Sequence, residues 1–168
     1  LPQRLSPADK QEEDIHMKLA EALIERANLQ RRLDALKVRM NASARVQAGD
    51  TPAEDAMALL DEYERVAADL LDVIRRINAT NAATELEPGV SLVDAIVVRD
   101  VLRKRQQAYA DLADAATGKA ERYFGTPEPR YARVVDVAAL RKQADELGRE
   151  ARELDTRLQG ANWTIELL

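Results

Sequence analysis

The chain has 168 residues, 46% of them hydrophobic and 33% charged, and a formal net charge of −5. That balance excludes a disordered segment and suits one domain large enough to bury a core. The acid excess, with no extended run of Lys or Arg to offset it, argues against a nucleic-acid binder. The absence of Cys excludes disulfides and thiolate metal sites. No apolar run approaches the ~20 residues of a membrane span, and no secretory leader opens the sequence, so the expected location is the cytoplasm.

In chain order, residues 1–16 (LPQRLSPADKQEEDIH) are polar and Pro-bearing. They read as an extension ahead of a helical domain over 17–168, with Met17 the expected native start. A heptad then runs through Ile15, Leu19, Ala22, Arg26, Leu29, Leu33, Leu36 and Met40, widened by Ala20, Leu23 and Ala27. Its alternating steps of four and three predict a first long helix, fraying over 41–47 before a turn at Gly49-Asp50. Thr51-Pro52-Ala53-Glu54 predicts the start of a second helix, with Thr51 as cap and Glu54 closing a capping box. Its stripe is Leu59, Tyr63, Val66, Leu70, Val73 and Ile77, and its expected end is Asn78.

After a turn at Glu87-Pro88-Gly89, Ser91 with Asp94 predicts a third helix on the stripe Leu92, Ala95, Arg99, Leu102, Gln106, Tyr109, Ala113 and Ala116, closed by Gly118. The stretch 119–135, with two Pro residues and three aromatics, predicts a folded excursion that includes a small β-hairpin over Tyr131–Val135. Asp136 caps a fourth helix on Leu140, Ala144, Leu147, Ala151, Leu154, Leu158 and Ala161, and the tail NWTIELL follows. The expected fold is all-α: an antiparallel four-helix bundle with a small hairpin between helices three and four.

That topology gathers the polar exceptions at one end: Arg26 and Arg99 on the apolar stripes, with Asn78, Thr80, Asn81, Asn162 and Trp163. Register places Arg26 near the level of Val73–Ile77. An Arg on a core-facing stripe needs a partner, because desolvating its charge costs several kcal/mol. Asp94, Asp100, Asp155 and Glu21 are protein partners within reach; a small anion or carboxylate ligand is the alternative. The Asn and Thr residues also serve as helix terminators, since Asn tolerates the left-handed turn. Trp163 is expected to fold back and close the open end of the bundle, with a self-association contact as the second reading. The three Asn-x-Ser/Thr sequons, at Asn41, Asn78 and Asn162, read as chance.

Catalysis finds little footing. The one histidine, His16, lies in the extension, so the paired Glu-x-x-His motifs of di-iron bundles are absent. No Cys or bundle His is present to activate a nucleophile, and no Gly-rich phosphate loop occurs. The expectation is a non-enzyme with no cofactor and no metal.

The words MKLAEALIERANLQRRL, RINATNAAT, LVDAIVVRDVLR and LDTRLQGANW resemble a family of small bacterial helical proteins of uncharacterised function, some of which carry the label septicolysin. The resemblance runs from Met17 onward. It implies an all-helical homo-oligomer, with a ring of six as one form, and it marks Arg26, Asn78, Thr80, Asn81, Arg99, Asp100, Asp155, Gln159, Asn162 and Trp163 as shared positions with no known catalytic role, which makes them the candidate ligand-binding residues. The label implies a pore-forming cytolysin, but those known are large and β-rich, unlike this short, acidic, helical chain. The leading expectation is a self-assembling scaffold or protein-interaction module. The alternatives are a binding protein for a small anion or metabolite at the Arg/Asn-rich end, and a membrane-active toxin.

Overall fold

The computed structural model describes residues 17–117, 132 and 134–168. Four long helices account for most of them: α1 (Leu19–Ser43), α2 (Ala56–Ala83), α3 (Leu92–Thr117) and α4 (Val137–Thr164). A two-stranded hairpin, β1 (Glu85–Glu87) and β2 (Val90–Ser91), lies between α2 and α3. The fold is all-α, as the periodicity predicts. The hairpin sits where the sequence suggested a plain turn: Gly89 takes φ +80°, which lets the chain reverse tightly enough for the flanking residues to pair. The hairpin expected over Tyr131–Val135 falls largely outside the described residues, as do residues 1–16 and Gly118.

The described residues divide into two compact units, one within residues 1–85 and 160–168, the other within residues 86–159. In the first, α1 and α2 pack as an antiparallel pair around Leu29, Leu36, Leu59 and Val66, with Leu33, Met40, Tyr63, Leu70 and Val73 against them. These are the stripe residues, and burying such aliphatic side chains contributes about 1.5–3 kcal/mol each. Ion pairs Arg32–Glu62 (2.6 Å) and Arg39–Glu54 mark the register on the flank.

The start of α2 differs from expectation. Thr51–Asp55 are not helical, and Asp55 is the cap, its carboxylate accepting from Met57 N at 2.9 Å. Glu54 does not close a capping box, because both its oxygens are taken by the Arg39 guanidinium. The 50–55 segment therefore runs back beside α1 before α2 begins. Extrapolating the register set by the two ion pairs brings Arg26 opposite Ala68–Asp69, about one to two turns from the level expected for it.

In the second unit, α3 and α4 pair along their predicted stripes. Leu92, Ala95, Ala113, Ala144, Leu147, Ala151 and Leu158 are buried. Caps match the sequence: Ser91 Oγ accepts from Asp94 N at 3.1 Å, and Asp136 Oδ1 accepts from Ala139 N at 3.0 Å. Gly148 marks a close approach, since a Cβ there would stand 3.0 Å from Gln106 Nε2. Arg157 Nη2 meets Glu87 Oε2 at 2.8 Å and ties the hairpin's first strand to α4.

Candidate functional site

The Asn/Thr cluster does not terminate a helix. Asn78, Thr80 and Asn81 lie inside the last turns of α2, which runs on to Ala83 and is capped by Thr84 in extended conformation. Among the described residues no non-glycine takes a positive φ, so no Asn supplies a left-handed stop. The physical reason is Thr80. It continues the core stripe one step past Ile77, is fully buried, and anchors chain from beyond α4. Its hydroxyl donates to the Arg76 carbonyl at 2.9 Å and accepts from Leu168 N at 3.0 Å. Arg76 Nε donates to the Leu168 carbonyl at 3.0 Å.

Around that anchor the segment after α4 forms a clasp that the sequence reading missed. Leu19 N donates to the Ile165 carbonyl and Leu167 N to the Met17 carbonyl, each at 2.9 Å, an antiparallel bridge between residues 18 and 166. Lys18 Nζ meets Glu166 Oε1 at 3.1 Å. Leu167 is buried where Trp163 was expected to fold back; Trp163 instead remains 58% exposed. A signal was present in TIELL, where Ile165 and Leu167 alternate with exposed Glu166 and Leu168 in the two-residue period of a strand. Asn162 is half-buried and Asn78 exposed.

Of the two stripe arginines, only Arg99 is drawn inward. Arg26 is exposed, since a side chain of that length reaches water with its charge even from a stripe position. Arg99 keeps 18% of its side chain exposed and makes three hydrogen bonds to protein carboxylates. Nε and Nη2 donate to Asp100 Oδ1 at 3.0 and 2.8 Å, and Nη1 donates to Asp155 Oδ1 at 3.0 Å. Arg103 Nη2 adds a contact to the same Asp155 oxygen at 3.2 Å. Partial burial would lower the Arg99 pKa, but the hydrogen bonds to Asp100 and Asp155 outweigh it and the net shift is upward. The cluster thus holds a permanent guanidinium whose donors are directed at internal acceptors. Asp94 and Glu21, the other suggested partners, are engaged at helix starts instead: the Asp94 carboxylate accepts from Ser91 Oγ at 2.6 Å and the Glu21 carboxylate from Lys18 N at 2.7 Å. Gln159 is exposed on the last turns of α4.

The site residues therefore sort into two groups by the bonds they make: Arg99, Asp100 and Asp155 in one unit, and Thr80 with Arg76 and Leu168 in the other. Among the described residues no group of three or more His, Asp or Glu is placed to hold a metal ion. No described helix is long and apolar enough to cross a membrane.

A model of a family of unknown function, DUF6847, matches residues 26–167, and the chain belongs to that family. The chain is also similar to a solved structure, the crystal structure of a functionally unknown conserved protein from Corynebacterium diphtheriae. The two are 42% identical with a TM-score of 0.85, over 91% of this chain and 99% of that one. Among curated proteins nothing matches. Neither the family description nor that of the solved neighbour carries the septicolysin label, and both give the function as unknown.

Proposed function

We propose that this protein is a non-enzymatic, self-assembling helical scaffold of the cytoplasm, which works by presenting helical faces to copies of itself and to partner proteins. The observation that carries this reading is a second apolar face on α3. Val93, Val97, Val98, Val101 and Leu112 are each 45–57% exposed, although the internal stripe of the same helix is already packed. A helix needs one apolar face to join its own fold; a second points outward to another surface. Native mass spectrometry with sedimentation analysis tests it. A defined oligomer at bare subunit mass supports the scaffold, with six copies the number the septicolysin resemblance implies. A monomer at every concentration refutes it.

The anion-binding alternative is weakened by the internal partners of Arg99, three of whose five N–H donors already face Asp100 and Asp155. It predicts a retained small molecule in the same spectrum, lost in Arg99→Ala. The toxin alternative predicts dye release from liposomes by pure protein, and the expected result is none.

A further inference from the structure

We infer that the exposed face of α3 docks antiparallel on the exposed face of α2 of a second copy of this chain, a head-to-tail contact. The inference rests on the self-assembly proposed above and names the two surfaces that make it.

The α2 face lies opposite that helix's internal stripe. Met57, Asp61, Glu64, Ala68, Leu71 and Arg75 follow heptad spacing, and all six are exposed, Met57 by 65% and Leu71 by 50%. It reads apolar, acidic, apolar, basic. The α3 face, taken backwards from Leu112 through Ala108, Lys104, Val101 and Val97 to Asp94, reads apolar, basic, apolar, acidic. On both helices the outer apolar residues stand about four turns apart.

Laid antiparallel, Met57 meets Leu112, Asp61 meets Ala108, Glu64 meets Lys104, Ala68 meets Val101, Leu71 meets Val97 and Arg75 meets Asp94; only the Asp61–Ala108 pair is neither apolar nor of opposite charge. Three apolar contacts and two opposite-charge contacts fall in one register, the arrangement by which paired helices select partner and direction. The same faces reject self-pairing. Aligning the apolar ends of two α3 helices sets Lys104 and Arg105 of one against those of the other, and two α2 helices set Glu64 against Glu64, so like charges stand at each centre. Sequence and exposure together thus favour a heterologous contact, which propagates into a closed ring or a filament.

The test uses the full chain with exposed-face charge reversals, each checked for helicity by circular dichroism. The Asp61→Lys/Glu64→Lys variant and the Lys104→Glu/Arg105→Glu variant should each associate about tenfold more weakly than wild type. An equimolar mixture of the two, and a chain carrying all four substitutions, should recover wild-type association, because each restores opposite charges across the contact. Should a reversal unfold the chain, Glu64→Gln and Lys104→Gln serve instead: each should flatten the salt dependence of association, and the pair together no further. Assembly that neither reversal weakens, or weakening that the mixture does not rescue, overturns this contact and leaves self-assembly standing. A monomeric wild type overturns both.

Discussion

The two helix pairs solve the same packing problem with different materials. The α1–α2 pair is closed by Leu29, Leu36, Leu59 and Val66 with a further layer of aliphatic residues and Tyr63 around them. The α3–α4 pair buries Leu92, Leu147 and Leu158 as fully, but mixes them with Ala95, Ala113, Ala144, Ala151 and Gly148, and it admits Arg99 and Gln106 onto the internal stripe. Small residues bring backbones close but bury little apolar area each, and beside them the second pair places the charge-assisted hydrogen bond of Arg99 to Asp155. It also leaves its valines outside. Both pairs leave apolar side chains at the surface, Ile24, Val38, Met57 and Leu71 on the first and the α3 valines with Leu112 on the second, so the difference between them lies in what closes the interior.

The largest effect that would break this contrast is in the first pair. Leu36 is 1% exposed at the centre of the aliphatic cluster. Leu36→Ala removes its transfer energy and leaves a cavity, and should destabilise the protein by about 2–5 kcal/mol in urea unfolding. Ala113→Gly on α3, also 1% exposed, should cost about 1 kcal/mol, mainly through helix propensity. A loss at Ala113→Gly as large as that at Leu36→Ala would mean that α3 and α4 pack against Ala113 far more tightly than helix propensity accounts for.

How much of this was legible follows from which interactions leave a periodic trace. The internal stripes were, because a residue turned from water must recur every three or four positions; Leu59 to Ile77 and Leu140 to Ala161 are buried or half-buried throughout. Thr80 was misread because a polar side chain in an Asn/Thr run resembles a stop, although it extends the Val73–Ile77 spacing by the next step. Arg26 and Arg99 occupy equivalent stripe positions and behave oppositely. What separates them is a partner: Asp155, 56 residues away in sequence, which the expected bundle brought within reach but which no local pattern assigns to one arginine over the other. The cap at Asp55 was missed for the same kind of reason, since Glu54 is claimed by Arg39 across the loop.

A smaller effect sharpens the contrast from the side of the second pair. Asp155→Asn keeps an acceptor for Arg99 but removes the charge that also faces Arg103. It should cost about 1–2 kcal/mol, the range for a hydrogen bond to a charged group when solvent reaches part of the pair. Hydrogen exchange should locate the loosening in α3 and α4, and added salt should narrow the gap between variant and wild type. An equal loosening of α1 and α2 would show that the two pairs open as one cooperative unit.

The smallest expected effect separates the pairs by acid. Hydrogen bonding to Arg39 holds the Glu54 carboxyl below its ordinary value of 4.5, and hydrogen bonding to Arg32 does the same for Glu62. A carboxyl depressed in the folded state releases its proton more readily there than in the unfolded chain. Its contribution is complete above pH 4.5 and is lost as pH falls through the lowered folded values. Both groups belong to the α1–α2 pair and both are open to solvent, so the contribution is modest. Glu54→Gln/Glu62→Gln should therefore be slightly less stable than wild type at neutral pH and converge with it in acid, read as urea midpoints from pH 7 downward. A gap that persists unchanged below pH 4.5 would assign these residues a packing role in the first pair in place of an electrostatic one.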